Sequence, residues 1–120
     1  MSRTFFSMAL AGLVLVASGS ALQAGRVKGP GTDNTSVSAQ HTMTYTDFFL
    51  GSEPAIVSVT GDGDTDLDLF VYDENGNLIA SDTMASDRCV VTWTPKWTGQ
   101  FTIKVVNRGY VLNNFRMRTN

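Results

Sequence analysis

Two reactive residue types are almost missing from this chain. Its 120 residues hold one cysteine, Cys89, and one histidine, His41. A single cysteine excludes an internal disulfide. A catalytic thiol would need a base nearby, and His41 lies far off in sequence. No Gly-x-Ser-x-Gly elbow, His-Glu-x-x-His pair or phosphate-binding glycine loop occurs, so none of these routes to enzyme catalysis is written here. Helical periodicity is missing too. Beyond residue 24, no window of about ten residues repeats its apolar positions at a helical period. Nor is there an excess of base: nine Lys and Arg face eleven Asp and Glu, for a net charge of −2. A mildly acidic chain offers no overall basic field for nucleic acid or an anionic membrane.

What is present begins with an export-type leader. Arg3 provides a short positive region, residues 5–16 (FFSMALAGLVLV) form an apolar run, and small residues follow up to Ala21. This is the layout of a secretory signal peptide over residues 1–24. The apolar run is shorter than the roughly 20 residues a membrane span takes. Cleavage is expected after Ala21 or Ala24. No cysteine follows, so no lipid anchor is indicated. The expected destination is the periplasm or the extracellular space, with no membrane span in the mature chain. Residues 25–40 (GRVKGPGTDNTSVSAQ) are polar and poor in large apolar side chains. They read as a flexible leader, because they offer little surface whose burial could offset the entropy of ordering.

Residues 41–120 read as short strands separated by turns. The strands are expected around Met43–Leu50, Ala55–Thr60, Leu67–Tyr72, Leu78–Ala80, Cys89–Thr94, Phe101–Val106 and Tyr110–Arg118, the last with a bulge at Asn113-Asn114. Asn75-Gly76 supplies a turn that tolerates positive φ. Phe101, Ile103 and Val105 share one face of their strand, as do Cys89, Val91 and Trp93 of theirs, which makes Cys89 a small buried hydrophobe. Seven or eight such strands predict an all-β fold, an antiparallel β-sandwich or jelly roll.

The acidic run is the chief candidate site. Within Gly61–Asp73, the aspartates Asp62, Asp64, Asp66 and Asp68 occupy every second position from 62 to 68. The first three match positions 1, 3 and 5 of an EF-hand loop, but Leu67 stands where that loop needs glycine, and Asp73 where it needs Glu. Two readings stay open. The four aspartates hold Ca2+ in a sandwich loop, or they cap turns and pair with neighbouring Arg and Lys. Asp68 enters a strand that carries apolar residues on both faces, so it is expected to be partly buried and to need hydrogen-bond partners. Three aromatics are candidates for gripping a ligand: Trp97 in the turn Pro95–Gly99, Tyr110 and Tyr45. The alternative reading of Trp97, favoured over ligand binding, is that it folds back to cover one end of the sandwich.

Several segments together resemble one family. They are Gly61–Asp73 (GDGDTDLDLFVYD), Asn75-Gly76-Asn77 with Ala80 and Asp82, Val91–Pro95 (VTWTP), and Gly99–Asn107 (GQFTIKVVN). This set resembles the bacterial pre-peptidase C-terminal domain, and is similar to the collagen-binding domains of secreted bacterial collagenases, from about Thr42 to Asn120. The resemblance implies a β-sandwich of the kind appended to exported enzymes. Members usually accompany a catalytic domain, and this sequence contains none. The expected function is therefore an exported, non-catalytic binding or accessory module. Its partner would be an extracytoplasmic protein or polysaccharide. Alternatives are a structural subunit of an extracellular or envelope assembly, or a partner acting in trans on a secreted peptidase.

Overall fold

The computed structural model describes residues 25–120, together with the backbone of a two-residue strand, Ser2–Arg3. The apolar run 5–16 and both expected cleavage positions lie outside the described residues.

Alternation of apolar and polar side chains shapes most of the long strands. In β3 (Thr42–Phe49), Met43, Tyr45 and Phe49 turn inward. In β4 (Ala55–Thr60) the inward residues are Ala55, Val57 and Val59, and in β5 (Leu67–Tyr72) they are Leu67, Leu69 and Val71. Strand β6 (Leu78–Asp82) is short and largely exposed. Strands β7 (Arg88–Trp93), β8 (Gly99–Asn107) and β9 (Asn113–Thr119) alternate without a break. With β1 (Ser2–Arg3) and β2 (Gly31–Val37) they make two sheets, in the orders β1-β3-β8-β5-β6 and β2-β9-β4-β7. All pairings are antiparallel except β1 with β3. The fold is the expected all-β sandwich. Its inner faces meet around Tyr45, Phe49, Leu69, Trp93, Ile103 and Met117.

The expectation of a flexible leader over 25–40 needs correction. Residues 31–37 form β2, in continuous register with β9 from Gly31 opposite Thr119 to Val37 opposite Asn113. Arg26 is fully buried and ion-paired to Asp47 at 2.8 Å. Its backbone N–H donates to the Asn120 carbonyl. The segment orders without a hydrophobic face because β2 is an edge strand, held by its backbone ladder and by Val37, which is buried. Polar residues on such an edge also discourage pairing with other chains.

The continuous β2–β9 register also leaves no bulge at Asn113-Asn114. Among the described residues, the one irregularity in a strand pair lies between Val71 and Tyr72, where β5 meets β6. The turn after it closes on Gly76 at φ 85°, a conformation that glycine adopts without steric cost.

Candidate functional site

Antiparallel strands deliver their connections to two ends of the sandwich. One end gathers the β4–β5, β6–β7 and β8–β9 loops. The other gathers the β3–β4, β5–β6 and β7–β8 turns.

The first end carries the acidic run, and the structure sends three of its four carboxylates to different partners. Asp62 accepts hydrogen bonds from the Asn114 backbone and side-chain N–H groups and from the Asp64 N–H. The Asn114 backbone bond is the largest of the influences that hold its pKa below the usual value. Asp66 accepts from the Ser86 N–H at 3.2 Å. Asp68 turns to the outer face of β5, is buried, and pairs with Arg108 Nε at 2.8 Å. Asp64 is exposed. Among the described residues no three His, Cys, Asp or Glu side chains are grouped to hold a metal ion. Asp87 and Asn113 tie the loops together instead. The Gly63 N–H donates to the Asp87 carboxylate, and Asn113 Nδ2 donates to Thr65 Oγ1 at 2.9 Å.

The aromatic candidates separate. Tyr45 is a correction: it is fully buried, and its hydroxyl donates to Asp33 Oδ2 at 2.8 Å. It faces inward because its position in β3 shares the parity of Met43 and Phe49. Tyr110 is 86% exposed, beside the acidic loops. Trp97 is 63% exposed, at the opposite end of β8. A nine-residue strand of roughly 30 Å stands between the two, so they share no surface.

The Trp97 end has a built pocket. Trp93 packs against Phe49 and Phe101, with ring centroids 4.9 and 5.4 Å apart. The rings of Trp93 and Phe101 floor a cavity of about 310 Å³. Trp97, Ile79 and Pro95 flank it, and Glu74, Asn75, Lys96 and Gln100 supply polar groups. The turn that carries Trp97 is fastened from the β3–β4 side: Ser52 N–H donates to the Pro95 carbonyl, and Gly51 N–H to Thr98 Oγ1. A Cβ at Gly99 would come within 3.1 Å of Glu74 Oε1, the end of a flexible side chain reaching over from the β5–β6 turn. Asp73 braces that turn by accepting from Asn77 Nδ2 and from the Asn75 and Asn77 N–H groups. Trp93 Nε1 lies buried with no hydrogen-bond partner among the described residues. Ile79, Glu74 and Gln100 were passed over in sequence. Each belongs to a different element, and only the sandwich brings them together.

Cys89 is not a reactive centre. Its thiol donates to the Leu67 carbonyl at 3.1 Å, and burial, aided by surrounding aspartates, pushes its pKa up to about 12.

With the geometry in view, the fold can be compared with known ones. No protein-family model matches the chain, and no curated protein is similar to it in sequence. Solved structures are similar in fold. One is the pre-peptidase C-terminal domain of a collagenase from Bacillus anthracis, at TM-score 0.56 and 13% identity over 76% of this chain and 87% of that one. The chain has the fold of that domain. Another is Aeromonas hydrophila PliG, a periplasmic inhibitor of g-type lysozyme, at TM-score 0.58 and 12% identity over 100% of this chain and 98% of that one. A third is CorA, a surface-associated copper-binding protein of Methylomicrobium album BG8, at TM-score 0.54 and 8% identity over 78% and 93%. One fold thus serves several purposes, and function has to be argued from the site.

Proposed function

We propose that this protein is an exported, non-catalytic binding module that takes an extracytoplasmic polysaccharide or protein in the pocket beside Trp97. The observation that carries this reading is an exposed indole on a braced turn, at the lip of a cavity floored by aromatic rings. An aromatic ring held in place loses little entropy on binding and offers a flat apolar face, while Glu74, Asn75 and Gln100 can orient a ligand through hydrogen bonds. The unreactive setting of Cys89 fits a role without covalent chemistry. Fold relatives named for a periplasmic inhibitor and a collagenase domain support a place outside the cytoplasm. Export also suits the start of the domain. Cleavage after Ala21 or Ala24 would remove β1 and its parallel pairing with β3, and would leave the hydrogen bonds of Gly25 and Arg26 intact.

The test is capture from culture supernatant by the purified mature chain and by Trp97→Ala. A centrally placed aromatic anchor contributes about 2 kcal/mol or more, so the variant should hold the captured partner roughly thirtyfold less tightly. Equal capture by both proteins would remove the pocket from consideration. An intact Met1 on the native protein would remove export.

A further inference from the structure

We propose a second binding surface, independent of the end pocket: the outer face of the β2-β9-β4-β7 sheet binds an anionic polysaccharide. The alternation that buries Cys89, Val91, Phe115 and Met117 turns Arg88, Arg116 and Arg118 outward. Register brings them together. Thr60 stands opposite Arg88 on one side and Arg116 on the other, and Ser58 stands opposite Arg118. Arg88 and Arg116 are therefore two strands apart, roughly 10 Å, and Arg116 and Arg118 about 7 Å apart along β9.

A cavity of about 700 Å³ lies over this face, lined among others by Asn34, Ser36, Ser58, Thr60, Arg116 and Arg118. Asp62 is its only acidic lining residue, and that carboxylate is engaged by Asn114. Among the described residues no ion pair involves any of the three arginines. Arg116 Nε donates to Asn34 Oδ1 at 2.8 Å, which occupies one of its five donors. In a chain of net charge −2, a sheet face carrying three arginines is a local reversal of sign, and charge complementarity calls for an anionic partner.

The lining chooses among anionic partners. It consists of hydroxyls and amides beside the Arg116 and Arg118 guanidinium groups, and its one large apolar residue, Phe115, is buried. The exposed Ile56 and Val90 of the same sheet face lie outside it. Single-stranded nucleic acid would want exposed rings on which bases stack. An acidic protein would want an apolar pocket for an anchor residue. A hydroxyl-rich chain bearing carboxylates or sulfates needs neither. Arginine forks suit either anion.

The experiment measures binding of the purified chain to polygalacturonate, dextran sulfate, neutral dextran, poly-glutamate and single-stranded DNA at 50 mM salt. At least one anionic glycan should bind, neutral dextran should not, and binding should vanish near 0.5 M salt as the charges are screened. Preference between polygalacturonate and dextran sulfate assigns the anion as carboxylate or sulfate. Arg116→Ala with Arg118→Ala should weaken binding at least about tenfold. Lys104→Ala removes one charge from the opposite sheet and should leave binding unchanged. The proposal is overturned if neither anionic glycan binds, if the double variant binds as the parent does, or if poly-glutamate or DNA binds more tightly than both glycans. None of these outcomes depends on Trp97.

Discussion

At the scale of single residues, the largest cost sits where charge is buried. The Arg26–Asp47 pair is almost without solvent contact, and desolvation, opposed by Asp47, lowers the Arg26 pKa. Removing one partner leaves the other charge buried and unpaired, so Asp47→Ala should destabilise the domain by about 3–5 kcal/mol in urea denaturation. Replacing both partners with apolar residues of similar size should cost far less. The exposed turn aspartates act differently. Hydrogen bonds hold the pKa of Asp73, chiefly through Asn77, and of Asp62, chiefly through Asn114, below the ordinary value. A depressed carboxylate pKa adds stability above its unfolded value, about 3.9, and that stability is lost as pH falls through the folded value. The melting temperature should therefore drop below about pH 4, and Asp73→Asn should flatten that part of the curve. Asp68 was legible in advance as a partly buried carboxylate in need of a partner. Which partner it finds, Arg108, was not, because the two are brought together by the pairing of β5 with β8.

At the scale of elements, the acidic loop and β2 are the informative pieces. The loop looks like an ion site when read along the chain. In space its carboxylates bond to Asn114, Ser86 and Arg108, on three other segments. Addition of 10 mM calcium should accordingly leave the melting temperature unmoved. A rise of roughly 10–20 °C, the effect of a site with a dissociation constant near 10⁻⁴ M, would instead place an ion there. Strand β2 carries the opposite lesson. Its sequence, GTDNTSV, lacks the apolar alternation by which β4, β7 and β8 could be recognised, because an edge strand with polar flanks is held by backbone pairing. Deleting residues 25–37 would uncover β9 and leave Asp47 without Arg26. The melting temperature should fall by more than about 10 °C, as followed by circular dichroism. A shift under about 2 °C would restore the reading of this segment as a leader.

At the scale of the whole molecule, the sandwich should open as one unit, since a single core cluster spans both sheets. Cys89 reports on this. Its buried thiol should resist a disulfide reagent at pH 8 until the domain unfolds, and the labelling midpoint in denaturant should coincide with that from circular dichroism. Labelling well before that midpoint would reveal local opening of β7. By itself the sequence determined what depends on short-range periodicity: the all-β class, the bounds of β4 and β5, the inward face of β7, and the glycine turn at Gly76. Those features follow from side-chain alternation and backbone sterics within a few residues. The tertiary structure decided what depends on pairing between distant segments. It ordered β2 against β9, buried Tyr45 over Asp33, separated Trp97 from Tyr110, and assembled the end pocket from two turns and the strand ends beside them. It also gathered three arginines from two strands onto one face of an acidic chain. Net charge is a sum over the sequence and carries no record of which residues become neighbours, and strand register alone sets that.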